Sequence, residues 1–279
     1  MIITLSVAGL ERRYLLHMPP NTADSAPAIV MLHGAGGSAA WARDETLWDR
    51  TADQFGFVVA YPDGLAIDPA RPSGFLENPQ VWNAGAGPGL IANRGPDDVA
   101  FLSAVIDDLI QRRQVNPQRV YLAGFSNGAA MTFRFAAKRS QSIAAIAPVA
   151  GYCPHVGPAE RAVPTLFLVG AEDPLVPLLG GEVRSPWDGR LERRPPLAES
   201  LTRWSTALGV STDPIRSAER DGVRTDEFAP IFRAITITGL GHHWPGGRGR
   251  LLRRLAGQPS NRVAANELIW DFFRSQRPA

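Results

Sequence analysis

A serine framed by glycines lies in the segment Gly124-Phe-Ser-Asn-Gly128. An apolar run at residues 120–123 precedes it and small residues follow it, so the pattern predicts a strand, a tight turn and a helix. On such a turn the serine backbone is crowded, and glycines two residues away on each side relieve the crowding. The helix also directs its positive end at the serine oxygen. The pattern therefore predicts that Ser126 is a nucleophile; its alternative is an ordinary serine that caps a helix.

A nucleophilic serine needs a base, and the base needs an acid to orient it. Of the five histidines, only His242 and His243 follow a late strand-like segment, residues 232–238. Asp173 comes a few residues after an earlier apolar segment, and Glu172 is a lesser candidate for the acid. Because the carboxyl ends of parallel strands meet at one edge of a sheet, these side chains are expected near Ser126. The alternative for Asp173 is a turn aspartate before a proline.

Glycines after the early apolar run predict a site for a developing oxyanion. The segment His33-Gly-Ala-Gly-Gly37 permits backbone N–H groups to point at a negatively charged oxygen. We expect the N–H of Ala35 as one donor, with Gly36 as its alternative, and the N–H of Asn127 as the other. His33 is expected to bond within the turn. No Lys-Ser or Lys-Thr pair follows, which disfavours a phosphate-binding loop.

Strand-like and helix-like segments alternate along the chain, which predicts an α/β fold with a mostly parallel central sheet and helices on both faces. We expect residues 1–279 to form a single domain. Residues 62–96 are predicted to be loop, and residues 174–196 a surface excursion rich in Gly, Pro and Arg. The predicted strands are 2–8, 12–18, 28–32, 57–61, 120–124, 143–149, 165–169 and 232–238, and the predicted helices are one that Asp97 or Asp98 caps, 127–138, 197–208 and 262–274.

Composition narrows the classes of partner. The net charge is +2, from 29 basic and 27 acidic residues in 279, which predicts no nucleic-acid or membrane partner. No apolar run reaches the roughly 18 residues that span a bilayer. One cysteine, Cys153, permits no intramolecular disulfide, and it is expected to be a small buried residue. The first ten residues lack the features of a signal peptide. The predicted chemistry needs no metal and no organic cofactor.

In family order, these motifs resemble the polyhydroxybutyrate-depolymerase and feruloyl-esterase group of α/β hydrolases. The stretches that carry the resemblance span almost the whole chain: Leu32-His-Gly-Ala-Gly-Gly37, Tyr61-Pro-Asp-Gly64, Val81-Trp-Asn83, Asp97-Asp-Val-Ala-Phe101, Gly124-Phe-Ser-Asn-Gly-Ala-Ala-Met131, Asp173-Pro-Leu-Val-Pro177 and Gly241-His-His-Trp-Pro-Gly-Gly247.

The resemblance implies the α/β-hydrolase fold and a serine ester hydrolase that acts on short-acyl or feruloyl-type esters. It implies His242 as the base, with His243 in a variable position, and Asp173 as the acid. It also implies secretion, whereas this chain starts without a signal peptide. The alternatives are a polyhydroxyalkanoate depolymerase, a peptidase or thioesterase on the same scaffold, and a non-catalytic binding module.

Tryptophans near the motifs are candidates for a substrate pocket, because large rings offer contact area at a small entropy cost. Trp82 and Trp244 lie inside the matching stretches and are predicted to bind substrate, and Trp187 is a further candidate. Packing in the core is the alternative for these side chains. The basic cluster Arg248, Arg250, Arg253 and Arg254 is expected to be a solvated face.

Overall fold

The computed structural model describes residues 1–20, 22–85 and 97–276. Its largest element is a ten-stranded sheet, accompanied by two short strand pairs. The strands, in chain order, are β1 (Ile2–Val7), β2 (Leu10–His17), β3 (Ala28–Leu32), β4 (Val58–Pro62), β5 (Leu65–Ala66), β6 (Gln80–Val81), β7 (Val120–Phe125), β8 (Ala145–Val149), β9 (Thr165–Gly170), β10 (Gly181–Arg184), β11 (Leu191–Arg194), β12 (Arg216–Arg220), β13 (Val223–Ala229) and β14 (Phe232–Ile237).

The order of strands in the large sheet is β1-β2-β4-β3-β7-β8-β9-β14-β13-β12. The six central strands run parallel to one another, in the order β4, β3, β7, β8, β9 and β14. Two antiparallel strands extend the sheet at each edge. Every residue of β3, β4, β7, β8 and β9 is buried, as is typical of parallel strands covered on both faces.

Helices cover both faces of the sheet, which confirms the predicted fold class. Those that contribute to the cores named next are α2 (Trp48–Phe55), α3 (Asp98–Arg113), α4 (Asn127–Lys138), α5 (Leu197–Leu208) and α7 (Ala265–Ser275). α3, α4 and α5 contribute Val105, Phe133 and Trp204 to the core on one face. The core on the other face contains Trp48 from α2 and Trp270 from α7. In the described part of the chain, no helix is long and apolar enough to cross a bilayer. The chain also contains α1 (Ala39–Thr46) and α6 (Arg253–Ala256).

Several segments differ from the prediction. The elements α1, α2, α6, β12 and β13 lie outside the predicted strands and helices. The structure places the hairpin β10–β11 in the predicted excursion 174–196, and this hairpin covers the carboxyl edge of the sheet instead of only projecting into solvent. The predicted loop 62–96 contains the short pair β5–β6, and its residues 86–96 lie outside the described residues. Asp97 caps α3, as expected, by accepting hydrogen bonds from the N–H groups of Val99 and Ala100.

Four connections converge at the carboxyl edge of the parallel strands. They follow β3, β7, β9 and β14, which carry the chain to His33, Ser126, Asp173 and His242 respectively. In open parallel sheets this edge is where binding sites form.

Candidate active site

Ser126, His242 and Asp173 form a continuous hydrogen-bonded chain at this edge. His242 Nδ1 lies 2.7 Å from Asp173 Oδ2, and His242 Nε2 lies 2.9 Å from Ser126 Oγ. A carboxylate accepts hydrogen bonds without donating them, so Nδ1–H donates to Asp173 and Nε2 accepts from the Ser126 hydroxyl. The side chains of His242 and Asp173 are 5% and 0% exposed, which shields this pair from water. The arrangement can take a proton from Ser126 and stabilise the imidazolium that results.

The turn between β7 and α4 holds Ser126 in a strained conformation, with φ of 56° and ψ of −116°. Three glycines provide the space for it. A Cβ atom on Gly124 would lie 2.3 Å from the carbonyl oxygen of Gly128, and one on Gly128 would lie 2.5 Å from that of His33. A Cβ atom on Gly151 would lie 2.4 Å from the carbonyl oxygen of Ser126. The close approach of three segments therefore depends on glycine at these positions.

Asp173 is oriented by the backbone that follows it. Its Oδ1 accepts hydrogen bonds from the N–H groups of Leu175 and Val176, both at 2.8 Å, which leaves Oδ2 for His242. Glu172, the lesser candidate for the acid, is exposed to solvent. On the other side of the imidazole, the ring of Phe125 packs against His242 at 4.8 Å between centroids. The orientations of Asp173 and His242 are thus determined by their neighbours.

The backbone N–H groups of Ala35 and Asn127 lie beside Ser126, and neither has an acceptor among the described residues. By contrast, the N–H of Gly36, the alternative donor, is bonded to the carbonyl oxygen of Gln80 at 2.8 Å. Both Ala35 and Asn127 line cavities that contain Ser126. These two N–H groups are therefore the candidates to donate to a negatively charged oxygen at Ser126.

Trp82 connects the two segments that carry the candidate N–H donors, the loop that begins at His33 and the turn at Asn127. Its backbone N–H donates to Asn127 Oδ1 at 2.7 Å, and its indole N–H donates to the carbonyl oxygen of His33 at 2.9 Å. His33 Nδ1–H donates to Gly34, and its Nε2 accepts from the N–H of Gly64. Burial lowers the pKa of His33 and keeps the ring neutral, as this bonding pattern needs. His33 therefore bonds within the turn.

Ser126 and His242 lie where two lobes of a cleft meet. The first lobe has a volume of about 440 Å³, and its walls include Trp41, Phe75, Phe125, Leu251, Leu252 and Leu255. The second lobe has a volume of about 340 Å³, and its walls include Ala130, Tyr152, Val176, Arg193, Arg194 and Arg203. Both lobes share Pro186 and Trp187 from the turn of the β10–β11 hairpin. The indole N–H of Trp187 donates to the carbonyl oxygen of Phe75, so the hairpin forms a roof over the cleft.

The two tryptophans predicted to bind substrate occupy the interior, which corrects that expectation. Trp82 is fully buried beneath the cleft, and Trp244 is 1% exposed. The indole N–H of Trp244 donates to Asn266, and its ring packs edge-on against Trp48. Buried tryptophans with a bonded N–H are typical core residues. In this chain the tryptophans of the two motifs thus pack in the interior around the site and do not line the cleft.

Trp41 and Trp187 are the tryptophans that line the cleft. Trp187 was a candidate by its residue type, whereas Trp41 was missed. A useful signal for Trp41 was its place in the first turn of the helix that follows the glycine-rich loop. There, Ser38 caps the helix by accepting a hydrogen bond from the N–H of Trp41, and the Trp41 ring lies close to Gly37 of the loop.

His243, Cys153 and the basic cluster lie near the site, and their contacts are mostly with the surrounding protein. His243 is buried, and its Nε2–H donates to the carbonyl oxygen of Gly257 at 3.1 Å. Cys153 is buried, and burial raises the pKa of its thiol to about 12. From the basic cluster, Arg248 and Arg250 form ion pairs with Asp44. Arg250 also borders the first lobe, so part of this cluster belongs to the cleft rather than to a solvated face.

Comparison with known proteins agrees with this architecture. Among curated proteins, a protein named as an esterase, NocK of Nocardia uniformis subsp. tsuyamanensis, is 28% identical over 96% of this chain and 80% of its own length. Poly(3-hydroxyalkanoate) depolymerase C of Paucimonas lemoignei is 26% identical over 82% of this chain. Feruloyl esterase B of Piromyces equi is 30% identical over 56% of this chain. The matches cover 58% of the depolymerase and 28% of the feruloyl esterase.

A solved structure extends the agreement in fold. The acetyl xylan esterase from Aspergillus awamori superimposes with a TM-score of 0.62 at 14% identity, over 87% of this chain and 94% of that one. The family model described as esterase PHB depolymerase matches residues 12–166, more than half of the 279 residues, and includes the Ser126 turn. The chain therefore belongs to the esterase PHB depolymerase family and is an ester hydrolase with the α/β-hydrolase fold.

Proposed function

We propose that this protein hydrolyses carboxylic esters of short-acyl or feruloyl type through a Ser-His-Asp triad and an acyl-enzyme. Ser126 is the nucleophile, His242 the general base and Asp173 the acid that orients it. The observation that carries the proposal is the hydrogen-bonded chain from Asp173 through His242 to Ser126, which ends where the two lobes of the cleft meet.

The reaction proceeds in two steps. Ser126 Oγ attacks the ester carbonyl carbon while its proton passes to His242 Nε2. The carbonyl oxygen becomes negative and accepts hydrogen bonds from the N–H groups of Ala35 and Asn127. The bond to the alcohol oxygen then breaks, and the alcohol leaves with the proton from Nε2. Water repeats the sequence on the acyl-enzyme: it gives a proton to His242, attacks the carbonyl carbon and releases the acid and Ser126.

The walls of the first lobe support the substrate class. Trp41, Phe75, Phe125 and Trp187 form an aromatic surface that suits a flat ring or a compact acyl chain. The hairpin roof is built from Pro186, Trp187 and Arg-rich strands, and it lacks the long apolar amphipathic helix with which a protein lies on a lipid surface.

A polyester depolymerase is the second candidate. The two lobes meet at Ser126 and otherwise have largely different walls, so a chain-like substrate can occupy both at once. Phe75 and Leu252 at the first lobe are 42% and 56% exposed, which provides an apolar rim for such a chain. The similarity to the poly(3-hydroxyalkanoate) depolymerase of Paucimonas lemoignei supports the same reading.

Replacement of the nucleophile tests the proposed role of Ser126. Ser126→Ala should fold normally and lose esterase turnover by roughly 10⁴-fold or more, because the attacking oxygen is gone. It should also lose covalent labelling by a fluorophosphonate. The matched control is Ser140→Ala, since Ser140 is buried and lines neither lobe. If Ser126→Ala kept even a tenth of the wild-type kcat, the assignment of Ser126 as the nucleophile would be wrong. A labelled wild-type protein without ester turnover would instead favour a peptidase or thioesterase.

A panel of esters tests the substrate class. We expect kcat/KM to be highest for short p-nitrophenyl esters and for methyl ferulate, because the roofed, aromatic lobe accommodates compact groups. The measurement compares p-nitrophenyl acetate through palmitate with methyl ferulate and a hydroxybutyrate oligomer. A maximum at twelve or more acyl carbons would contradict the proposal. Cleavage of the oligomer without cleavage of ferulate would select the depolymerase.

A further inference from the structure

The second lobe differs from the first in its charge. Three arginines line it, Arg193, Arg194 and Arg203, and none of the carboxylates in the described part of the chain does so. Arg194 and Arg203 each pair with a glutamate beside the lobe, at 2.9 and 3.1 Å. Arg193 forms no ion pair or side-chain hydrogen bond with residues 1–20, 22–85 or 97–276. Arg193 is exposed and lies opposite Glu182 in the hairpin, but the two form no ion pair, so its charge is available to a ligand in the lobe.

Buried donors in the same lobe also lack partners. The hydroxyl of Tyr152 and the Nε of Arg194 are buried without a hydrogen-bond partner among the described residues. An unsatisfied buried donor costs about 1–3 kcal/mol, so such groups are expected to find an acceptor in the working state of a protein. Burial raises the pKa of Tyr152 to about 12, and its hydroxyl thus stays a donor at neutral pH. Cationic groups and neutral donors together are complementary to an anionic oxygen.

The lobe leads directly to the reacting atoms. Ser126, Asn127 and His242 form its inner end, and the arginines lie on β11 and α5 at its other walls. A group bound there is consequently part of the molecule whose ester bond lies at Ser126. The first lobe, with its aromatic and leucine walls, remains for the uncharged part of the substrate.

We propose that the second lobe is a subsite for a carboxylate, and that the enzyme prefers esters that carry a free carboxylate on one side of the scissile bond. Half-esters of dicarboxylic acids have this group on the acyl side, and short oligomers of hydroxy acids have it on the alcohol side. The guanidinium of Arg193 supplies the charge, and Tyr152 and Arg194 supply hydrogen bonds. This inference rests on the proposed function, because it assumes ester cleavage at Ser126.

Matched pairs of charged and neutral esters test the subsite. The acyl-side pair is p-nitrophenyl hemiglutarate and p-nitrophenyl methyl glutarate; the alcohol-side pair is the linear dimer of 3-hydroxybutyrate and its methyl ester. In wild type we expect kcat/KM for the charged ester of one pair to exceed that for its neutral partner by about tenfold. One charge-assisted hydrogen bond has an effect of about this size on kcat/KM. The pair that shows the preference identifies the side. Added salt should reduce the preference.

Charge-neutral variants locate the subsite. Arg193→Gln should lower the charged-to-neutral ratio about tenfold, and Tyr152→Phe should lower it by a smaller factor. Because the ratio is measured within one protein sample, it is independent of the folded fraction. The matched control is Arg190→Gln, which removes a charge from the same hairpin at an exposed side chain that lines neither lobe. It should leave the ratio unchanged.

The outcomes separate the two proposals. Hydrolysis of neutral esters with no preference in either pair overturns the carboxylate subsite and leaves the serine esterase standing. A preference that Arg190→Gln reduces as much as Arg193→Gln also overturns the subsite, because the cause is then general surface charge. Absence of turnover on all four esters and on p-nitrophenyl acetate overturns the esterase and the subsite together.

Discussion

Ser126 has a backbone conformation that costs a non-glycine residue about 1–3 kcal/mol, and the surrounding structure maintains it. Its N–H donates to the carbonyl oxygen of Val149, and its carbonyl oxygen accepts from the N–H of Ala130. The strained turn raises the side chain above the sheet edge, where it meets His242. At the scale of single residues, the site thus depends on backbone geometry as much as on the three side chains.

The adjacent histidines provide a prediction at this scale. His242→Ala should lower kcat by about 10⁴-fold, because Ser126 loses its base. His243→Ala should keep most of kcat and mainly raise KM, since His243 holds the carbonyl oxygen of Gly257 beside Ala256, a residue of the first lobe. Steady-state kinetics of both variants on p-nitrophenyl butyrate makes the comparison. The opposite pattern would transfer the role of base to His243.

At the scale of elements, several loops meet at the site, and glycines let three of them approach one another closely. The loop after β3 crosses the start of α4 at Gly128, and the loop after β8 crosses the Ser126 turn at Gly151. Glu45 on α1 anchors a fourth segment by accepting the N–H groups of Gly249 and Arg250. This segment leads to the leucines of the first lobe. The elements are therefore coupled to the cleft through backbone contacts.

Substitution of Gly128 tests this coupling. The added Cβ of Gly128→Ala would meet the backbone of Leu32 and His33 at 2.5–2.9 Å, so either the β3 loop or α4 must move. We expect a loss of stability of roughly 1–3 kcal/mol or more, as for other overpacked cores, and a large loss of kcat. The matched control is Gly74→Ala, whose Cβ meets nothing within 4 Å and which should change neither. Thermal unfolding and turnover of the two variants provide the measurement, and equal behaviour would contradict the close packing.

At the scale of the whole molecule, the interior holds titratable groups that respond to pH in opposite directions. Burial lowers the pKa of His33 and of His243. Burial raises the pKa of Glu45 and of Asp98, although hydrogen bonds and nearby arginines oppose the rise. Asp98 also forms a buried ion pair with Arg12 at 2.8 Å. The free energy of unfolding in mild acid is the sum of these contributions. One contribution is therefore best measured by comparing wild type with a variant that lacks the group.

A variant of His243 allows this comparison. Its pKa in the folded state lies below the unfolded value of about 6.5, so the unfolded state binds more protons once the pH falls below that value. The free energy of unfolding should therefore decrease with falling pH, by at most about 1.4 kcal/mol per pH unit for this group. Urea unfolding at pH 7.5 and 5.5 should show a larger loss for wild type than for His243→Asn. Between pH 7.5 and 8.5 the two should change equally; equal losses at pH 5.5 would contradict the prediction.

The family resemblance, and not a local pattern, implied His242 rather than His243 and Asp173 rather than Glu172. The sequence alone was sufficient for the parallel sheet and for proposing the Ser126 turn. These features are local: a buried parallel strand is a continuous apolar run, and the turn needs glycine at set spacings. The apolar runs also position each candidate after a strand, and parallel strands place those ends on one edge. Strands β12 and β13 were both missed. The five residues of β12 are all exposed, and its structure depends on pairing with β13.

Only the tertiary structure decided what surrounds the nucleophile. Four tryptophans with similar local sequence signals divide between core and cleft, Trp82 and Trp244 to the core and Trp41 and Trp187 to the cleft. The choice of Ala35 over Gly36 depends on a hydrogen bond to Gln80, 44 residues away in the chain. The arginines of the second lobe belong to a hairpin and a helix that approach Ser126 only after folding. Burial and hydrogen-bond partners are properties of long-range contacts, and no local pattern encodes them.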